Sequence, residues 1–298
     1  MTNGQPAGQE RSEARTRRIA FQGEPGAYSH EACLKARPDH TPLPCRTFED
    51  VVDAVQEGRA DLAMLPVENS TYGRVADIHH LLPESGLRIV DEAFVRVHIN
   101  LLAVPGSSLD RVEEAFSHTV LLGQCRAFLR THGLRARSWA DTAGSARHVA
   151  ELGDPAKAAL ASALAAEIHG LEILARHVED HDNNTTRFLI MAREADFCRR
   201  GDHGMMTAFV FRVRNIPAAL YKALGGFATN GVNMVKLESY MLGGSFHATQ
   251  FFAEIEGHPE DPAVARALEE LDYFSSHLDI LGTYPAAAER RKVGKAGA

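Results

Sequence analysis

The chain has 298 residues, of which 45% are hydrophobic and 24% are charged. This is the composition of an ordinary globular protein of two or three domains, and it excludes disorder along the whole chain. The four cysteines show no CxxC spacing. The sequence therefore indicates neither a disulfide scaffold nor a zinc or redox motif, and we expect no metal and no cofactor.

The net charge of −7 is distributed unevenly. Residues 1–18 carry a net +2 and residues 286–298 a net +3, which leaves −12 for the body of the chain. An acidic body excludes the extended basic face that nucleic acids require. Because no apolar run is long enough to cross a membrane and the start lacks a secretory signal, we expect a cytoplasmic protein. Residues 1–17 and 286–298 are expected to be disordered tails.

Strands alternate with helices in the first third of the chain. Residues 19–21 predict a strand, and a Gly/Pro turn leads from it into a helix over 30–37 that Ser29 would cap. The next predicted elements are a helix over 48–57, a strand over 60–67, a helix over 76–82 and a strand over 87–97. This order, β-α-α-β-α-β, is typical of an α/β fold.

The alternation of predicted strands and helices continues as far as a linker predicted at residues 195–206. The elements predicted before it are a strand over 98–105, helices over 108–116 and within 117–133, a strand and a helix over 136–154, a strand and an Ala-rich helix over 156–174, and a strand within 181–194. After the linker the pattern changes to strand, helix, two strands, helix and strand over residues 207–285. Gly243 and Gly244 would form the hairpin between the two central strands. This order, βαββαβ, is the ferredoxin-like arrangement.

Four polar clusters follow predicted strands: GEPGAYSH at 23–30, ENSTYGRV at 68–75, DTAGSA at 141–146 and NNTTRF at 183–188. In an open α/β sheet, ligands bind beyond the carboxyl ends of the strands. Glycines, hydroxyls, helix N-termini and the fork of Arg187 suit a small anionic ligand. Each cluster taken alone is equally well explained as a turn, but four in equivalent places favour a binding site.

These clusters resemble the motifs of a known enzyme family. NNTTRF is similar to the Thr-Arg-Phe signature of prephenate dehydratases, and GEPGAYSH, ENSTYGRV, the GQC at 123–125 and DTAGSA recur there in the same order. The resemblance covers residues 18–194, and residues 207–285 resemble the ACT regulatory domain that follows in bacterial members.

The resemblance implies the fold in more detail. It implies an α/β, two-lobed, periplasmic-binding-protein-like catalytic domain followed by an α+β ferredoxin-like ACT domain. Lobe 1 would comprise about residues 18–97 and 175–194, and lobe 2 about residues 98–174.

The resemblance also implies a reaction, the conversion of prephenate to phenylpyruvate, water and carbon dioxide in L-phenylalanine biosynthesis. Thr186 would be the catalytic residue beside the departing hydroxyl. Arg187 would bind a substrate carboxylate or instead brace the lobe through an ion pair, and Phe188 would wall the substrate ring or belong to the core. The remaining substrate-binding residues would be Ser29, Glu68, Asn69, Ser70, Gln124 and Ser145. Asn69 and Ser70 are equally plausible as turn and cap residues.

The resemblance to the ACT domain implies feedback inhibition by phenylalanine at an interface between ACT domains of a homodimer or homotetramer. The effector-binding residues would be Ala218, Ala219, Leu220, Asn233, Glu238 and Ser239. Two segments depart from the family pattern. Residues 117–122 replace a His-Pro-Gln-Ala-Leu segment, and Tyr240-Met241 follows Glu238-Ser239 where relatives have Arg-Pro.

Two other functions remain open from the sequence. One is an arogenate dehydratase, which would yield phenylalanine directly. The other is a non-catalytic two-lobed protein that senses an amino acid or another solute, although such a protein has no need of the Thr-Arg-Phe motif. Because the body is acidic and the substrate is a dianion, the cleft is expected to be locally positive, with Arg187 and helix N-termini as the sources.

Overall fold

A computed structural model describes residues 16–197, 204–214, 216–241 and 248–290. Within them the chain forms two α/β lobes and a C-terminal βαββαβ unit. Much of the predicted linker and the predicted hairpin at Gly243 and Gly244 lie outside the described residues.

Helices and strands are numbered here in chain order. Lobe 1 begins with β1 (Arg18–Gln22), α1 (Tyr28–Ala36), β2 (Thr41–Cys45), α2 (Phe48–Gln56), β3 (Leu62–Asn69), β4 (Gly73–Arg74), α3 (Ala76–Leu81) and β5 (Arg88–Arg96). Lobe 2 contains β6 (Asn100–Ala103), β7 (Glu114–Ser117), α4 (Thr119–Gln124), α5 (Arg126–Thr131), β8 (Arg135–Ser138), α6 (Thr142–Leu152), β9 (Lys157–Ala161), α7 (Ala163–His169) and β10 (Glu172–Ala175). Lobe 1 is completed by β11 (Thr185–Ala192). The C-terminal unit contains β12 (Met205–Arg212), α8 (Ala219–Thr229), β13 (Met234–Met241), β14 (Ala248–Glu256), α9 (Pro262–Phe274) and β15 (His277–Pro285).

Two sheets organise these elements. Lobe 2 has its own five-stranded sheet in the order β10-β6-β9-β7-β8. Lobe 1 and the C-terminal unit share a sheet in the order β13-β14-β12-β15-β5-β11-β3-β1-β2, with β4 paired to β3. Strand β11 runs antiparallel to both β3 and β5, and Thr186 lies opposite Asn69 at the end of β3. The motifs at 68–75 and 183–188 are therefore brought side by side.

The junction between lobe 1 and the C-terminal unit is a continuous apolar core. One cluster of buried side chains includes Leu65 and Ile78 of lobe 1 together with Phe252 and Tyr284 of the C-terminal unit. The two halves of the sheet meet where Gly282 of β15 lies opposite Ile89 of β5. A Cβ at position 282 would lie 2.1 Å from the Ile89 carbonyl oxygen, so only glycine allows this approach.

The structure differs from the prediction at β2, β4, β7 and β10. The helix predicted at 108–116 is replaced by a 3-10 turn at Leu109–Arg111 and by β7. Because β7 pairs with both β8 and β9, sheet formation outweighs the local preference of this segment for a helix. Strand β2 (Thr41–Cys45) is missing from the prediction because prolines occupy two of its five positions. They are tolerated because β2 is the last strand of its sheet.

Two predicted helix starts are also wrong, since the sequence predicts Ser29 as the cap of the first helix and Pro217 in the first turn of the helix after the linker. Helix α1 begins at Tyr28 with Ala27 as its N-cap, so Ser29 lies inside the helix and is buried. Helix α8 begins at Ala219, after Ala218 in the left-handed conformation (φ 62°). In both places the preceding turn, rather than the nearest hydroxyl or proline, determines where the helix begins.

Candidate active site at the boundary between the lobes

The Thr-Arg-Phe segment lies at the start of β11, and its consecutive side chains point to opposite faces of the sheet. The Thr186 hydroxyl contacts Asn69 at the end of β3, and Asn69 is linked to lobe 2 through Asn184 and Gln124. Arg187 faces the C-terminal unit, where it contacts Glu254 and Tyr284. The two polar residues of the motif therefore belong to two different environments.

Asn69 holds the Thr186 hydroxyl in a defined orientation. The Oδ1 atom of Asn69 accepts hydrogen bonds from the backbone N–H groups of Thr71 and Tyr72, at 2.9 and 3.1 Å. Because backbone N–H groups can only donate, the other end of the Asn69 amide must be the Nδ2 donor. It donates to the Thr186 oxygen at 3.0 Å and to Asn184 Oδ1 at 2.7 Å.

The same logic extends to lobe 2 through Asn184. Since Asn184 Oδ1 accepts from Asn69, its Nδ2 donates, and the acceptor is Gln124 Oε1 at 3.0 Å. Gln124 is the last residue of α4, so this bond links the two lobes. The Nε2 donor end of Gln124 is then directed away from the chain of amides. We name Asn69, Asn184 and Gln124 the amide chain.

The amide chain leaves the Thr186 hydrogen available. The Thr186 oxygen accepts from Asn69, and a hydroxyl has one hydrogen of its own to donate. The side chain is only partly buried. This group can therefore donate a hydrogen bond to a ligand between the lobes.

The predicted serines have local structural contacts. The Ser70 hydroxyl donates to the Asn183 carbonyl and accepts from the Thr185 N–H, which fixes the ENST loop against the start of β11. The fully buried Ser145 donates to the Thr142 carbonyl at 2.7 Å. The N-terminus of α6 is capped by Asp141, whose carboxylate accepts from the Gly144 N–H at 2.7 Å. One of the backbone donors at this helix end is thus taken by the protein's own carboxylate.

Arg187 was predicted either to bind a substrate carboxylate or to brace the lobe through an ion pair. It does not face the cleft, and its contacts match the ion-paired brace. The residue is 3% exposed, and its guanidinium contacts Glu92, Glu68 and Glu254 at 2.8, 2.9 and 2.8 Å. Burial would lower the pKa of Arg187, but the Glu254 charge and its neighbours outweigh this and raise it well above its usual value. Because its charge is neutralised, Arg187 is not the source of a positive cleft.

Glu68 and Phe188 also lie away from the cleft. Glu68 contacts Arg187 and Lys236 at the junction with the C-terminal unit. Burial opposes its ionisation, but the charges of these two residues outweigh burial and lower the pKa of Glu68 from 4.5 to about 2. Phe188 is 1% exposed and packs in the lobe 1 core with Phe21 and Met64. Of its two predicted roles, the core role is the one observed.

The GEPGAYSH loop serves the contact between the lobes. Gly26 (φ 95°) packs so closely on lobe 2 that a Cβ there would lie 2.8 Å from the Ala165 Cα. The Ser162 hydroxyl donates to the Gly26 carbonyl at 2.6 Å. The Arg147 guanidinium forms two hydrogen bonds of 2.9 Å with Glu24, and hydrogen bonding to Arg147 lowers the pKa of Glu24.

The predicted effector residues are divided between two faces of the C-terminal unit. Ala218, Ala219 and Leu220 form the start of α8. On β13, Glu238 faces lobe 1 and pairs with Arg74, whereas Ser239 is exposed. The Asn233 carbonyl accepts from the Glu256 N–H, which ties the start of β13 to β14.

Asn184 is a buried polar residue of the NNTTRF motif, only 3% exposed, that is not among the predicted substrate-binding residues. A polar residue two positions before Thr186 on an extended segment shares its face, and this spacing was the available signal.

Across the described ranges no helix is long and apolar enough to span a membrane.

The fold and the site together define a two-lobed α/β enzyme with a threonine hydroxyl presented where the lobes meet. Residues 19–196 match the family model described as prephenate dehydratase. The chain therefore belongs to the prephenate dehydratase family, whose activity is that of a lyase, and this confirms the resemblance drawn from the motifs.

Similar proteins support this assignment over most of the chain. The bifunctional N-acyl-homoserine lactone acylase/prephenate dehydratase of Komagataeibacter europaeus is 56% identical over 92% of this chain and 98% of its own length. Arogenate dehydratase/prephenate dehydratase 1 of Arabidopsis thaliana is 38% identical over 90% of this chain and 72% of its length. The structure of prephenate dehydratase in complex with L-Phe from Arthrobacter aurescens has a TM-score of 0.81 and 30% identity, covering 93% of this chain and 97% of the other.

Proposed function

We propose that the protein converts prephenate to phenylpyruvate, with Thr186 donating a hydrogen bond to the ring hydroxyl as it leaves. The observation that carries this role is the bond from Asn69 to the Thr186 oxygen, because that oxygen accepts from Asn69 and the threonine hydrogen is left to donate to a ligand. The family match over residues 19–196 supports the reaction.

The reaction needs positioning more than strong acid catalysis. The bond between the ring and its carboxylate breaks to release carbon dioxide, and its electron pair completes the aromatic ring as the C–O bond breaks. The departing oxygen takes up a proton to leave as water. A threonine hydroxyl is a weak acid, so its contribution is a hydrogen bond to the oxygen as negative charge develops there, or relay of a proton from water.

The amide chain supplies the rest of the proposed site. Gln124 is held by Asn184, so its Nε2 group is oriented to donate to a substrate oxygen. The bond between Asn184 and Gln124 crosses from lobe 1 to lobe 2. Closure of the lobes therefore completes this part of the site, and productive orientation is coupled to it.

Thr186→Ala tests the role of the hydroxyl, with Thr186→Ser as the matched variant that retains it. We expect alanine to lower kcat for prephenate by about 10²–10³-fold, the usual effect of removing one donor to a developing oxyanion. Serine should retain most of the turnover. Phenylpyruvate absorbance in alkali measures both, and near-wild-type turnover by the alanine variant would refute the assignment.

Arogenate is the alternative substrate, supported by the printed name of the Arabidopsis thaliana relative. We propose that prephenate is preferred, in accordance with the family model. Comparing kcat/KM on the two compounds decides between them, because arogenate yields phenylalanine and prephenate yields phenylpyruvate. A higher kcat/KM for arogenate would reassign the substrate.

We propose that the C-terminal unit is an ACT domain that binds phenylalanine and inhibits the enzyme. The L-Phe complex of the Arthrobacter aurescens protein supports the choice of ligand, and the βαββαβ order supports the domain type. The proposed contacts are made by the predicted effector residues at the start of α8 and on β13. Titration calorimetry with phenylalanine, alongside turnover, tests this. An absence of binding heat together with unchanged turnover would exclude it.

We propose further that the chain forms a homodimer or a homotetramer through the edge strand β13. Val235, Leu237 and Met241 of this strand are exposed apolar side chains. A second copy would cover them and extend the sheet. Light scattering coupled to size exclusion measures the mass, and the double variant Val235→Lys/Leu237→Lys should be monomeric. A monomeric wild-type chain would contradict the proposal.

A second candidate activity is cleavage of an N-acyl-homoserine lactone. It is supported by the name of the Komagataeibacter europaeus relative and by 56% identity over 92% of this chain. Release of free homoserine lactone from an acylated lactone tests it, and the Thr186→Ala variant shows whether the two activities share a site. If the wild-type protein releases none, this candidate is excluded.

A further inference from the structure

Arg187 joins lobe 1 to the C-terminal unit at the residue next to Thr186. All three of its side-chain nitrogens are engaged. Nε contacts Glu92 of β5 at 2.8 Å, and Nη2 contacts Glu254 of β14 at 2.8 Å and the Tyr284 hydroxyl of β15 at 3.1 Å. Nη1 contacts lobe 1 again, at the end of β3. The guanidinium is thus held from both sides of the junction.

The charges around Arg187 are balanced within one set of residues, here called the junction cluster: Arg187, Arg290, Lys236, Glu68, Glu92 and Glu254. The set contains three cations and three carboxylates. Glu92 and Glu254 are almost completely buried, so their charges depend on these partners. Arg290, which the sequence places in a solvated tail, contacts both of these carboxylates.

The junction cluster is well placed to fix the backbone of Thr186. Adjacent Cα atoms are only about 3.8 Å apart, so a shift of the Arg187 backbone is passed directly to Thr186. Because the guanidinium is planar and each of its three nitrogens is hydrogen-bonded, it is held in one orientation relative to both units. A cavity of about 300 Å³ borders the cluster, lined by Phe94 and Thr185 of lobe 1 and by Lys236 and Glu238 of β13. Glu68 and Arg187 of the junction cluster also line this cavity, together with Asn69.

We propose that Glu254 and Tyr284 of the C-terminal unit are positioning residues for the reaction in lobe 1. They hold Arg187, and through it the start of β11, where the Thr186 hydroxyl meets Asn69. Strands β14 and β15 of the C-terminal unit thus help to align the hydroxyl of Thr186. This inference rests on the proposed function, since it needs Thr186 to act at the reacting group.

Glu254→Gln and Tyr284→Phe test the proposal in the full-length protein, with Asp279→Asn as the matched control. Asp279 of β15 pairs with Arg88 of β5, so it crosses the same junction, but at the end of β5 that lies away from Thr186. We expect Glu254→Gln to lower kcat for prephenate by about tenfold to a hundredfold, as a small misplacement of a reacting group does, with KM nearly unchanged. Tyr284→Phe should act in the same direction more weakly, and Asp279→Asn should change neither constant.

A double-mutant cycle separates positioning from a general loss of stability. In a Thr186→Ala background the hydroxyl is gone, so Glu254→Gln should lower the residual turnover no further. An equal loss of turnover in both backgrounds, or an unchanged kcat in both Glu254→Gln and Tyr284→Phe, would overturn the inference. If Glu254→Gln does not fold, Tyr284→Phe carries the cycle alone.

The outcome is distinguishable from failure of the proposed function. If Thr186→Ala itself keeps wild-type turnover, the role of the threonine is wrong, and the positioning role of Glu254 and Tyr284 is refuted with it because it depends on Thr186. If Thr186→Ala is inactive while both junction variants keep a normal kcat, the threonine role stands and only the positioning role of the C-terminal unit is refuted.

Discussion

Lobe 1 has two interfaces that differ in their chemistry. Towards lobe 2 the contacts of the described residues include hydrogen bonds between neutral groups, such as Asn184 to Gln124 and the Tyr72 hydroxyl to the Val120 carbonyl, and a partly exposed ion pair of Glu24 with Arg147. Towards the C-terminal unit it shares a sheet, an apolar core and the buried junction cluster.

This difference predicts that the boundary between lobe 1 and lobe 2 opens more easily than the junction between lobe 1 and the C-terminal unit. Neutral hydrogen bonds exchange with water at a net cost of about 0.5–1.5 kcal/mol each. Separating a buried ion pair leaves uncompensated charges, which costs considerably more. We therefore expect lobe 2 to move relative to lobe 1 when substrate enters, while lobe 1 and the C-terminal unit move as one body. The predictions that follow test this contrast.

Arg187→Ala should have the largest effect on stability. It leaves the buried carboxylates of Glu92 and Glu254 with only Arg290 of the junction cluster as a cationic partner, which should reduce the free energy of unfolding by about 3–5 kcal/mol. Urea denaturation measures the loss. The control is Arg88→Ala, which removes a partly exposed pair with Asp279 and should cost less than about 1 kcal/mol. Equal losses in the two variants would contradict the contrast between buried and exposed pairs.

Acidification should weaken the junction before it affects the amide chain, which has no titratable group. Because the folded-state pKa of Glu68 is lowered from 4.5 to about 2, its stabilising contribution is fully present above about pH 4.5 and is lost as the pH falls towards 2. The pKa of Glu254 is lowered in the same direction, since the Arg187 charge outweighs its burial. The unfolding free energies of the wild type and Glu68→Gln should differ by a constant amount above about pH 4.5 and converge as the pH falls from 4.5 towards 2. A difference that stays constant as the pH falls through this range would refute this.

Gly26→Ala should disturb the other interface. The new Cβ would meet the Ala165 backbone and would also require a left-handed alanine, so we expect a loss of about 1–3 kcal/mol together with lower turnover. Gly133→Ala is the matched control, because Gly133 also has a positive φ of 65° but nothing lies within 4 Å of its Cβ position. It should be less destabilising and should retain turnover. Similar turnover in the two variants would count against a role for close lobe packing.

Asn184→Asp should interrupt the amide chain with little change in volume. An aspartate carboxylate cannot donate to Gln124 Oε1, so the Gln124 amide loses its fixed orientation. We expect turnover to fall by about tenfold, corresponding to the loss of one well-placed hydrogen bond. Asn183→Asp is the control, because only the backbone carbonyl of Asn183 contacts Ser70. If both variants have the same kcat, the orienting role of Asn184 is wrong.

Glu24→Gln should have the smallest effect. The pair with Arg147 is partly exposed on both sides, so its loss should change stability by less than about 1 kcal/mol. Chemical denaturation at low and high salt measures it, and the small difference from the wild type should shrink further at high salt. A loss as large as that of Arg187→Ala would show that the two interfaces do not differ as described.

The local errors of the sequence analysis have a common cause. The segment at 108–116 has the composition of a helix, but two neighbouring strands pair with β7 and impose an extended backbone. The prolines of β2 argue against a strand until its place at the sheet edge is known. In both cases distant residues decided a conformation that nearby residues did not favour.

The polar clusters and the family motifs pointed to the boundary between the lobes as the candidate site, because residues that follow strands in an α/β chain gather at one edge of the sheet. They did not separate the roles of Thr186 and Arg187, which are adjacent in sequence. That separation depends on which face of β11 meets Asn69 and which face is covered by the C-terminal unit.

The sequence by itself determined the order of elements in the C-terminal unit, the family, and the choice of Thr186 as the proposed catalytic residue. These depend on local pattern and on motifs. Only the tertiary structure decided that Glu68 and Arg187 belong to a junction and that Asn184 orients Gln124. The physical reason is that ion pairs and amide orientations are fixed by partners far away in the chain. Glu254 lies 67 residues from Arg187, and no local pattern could have joined them.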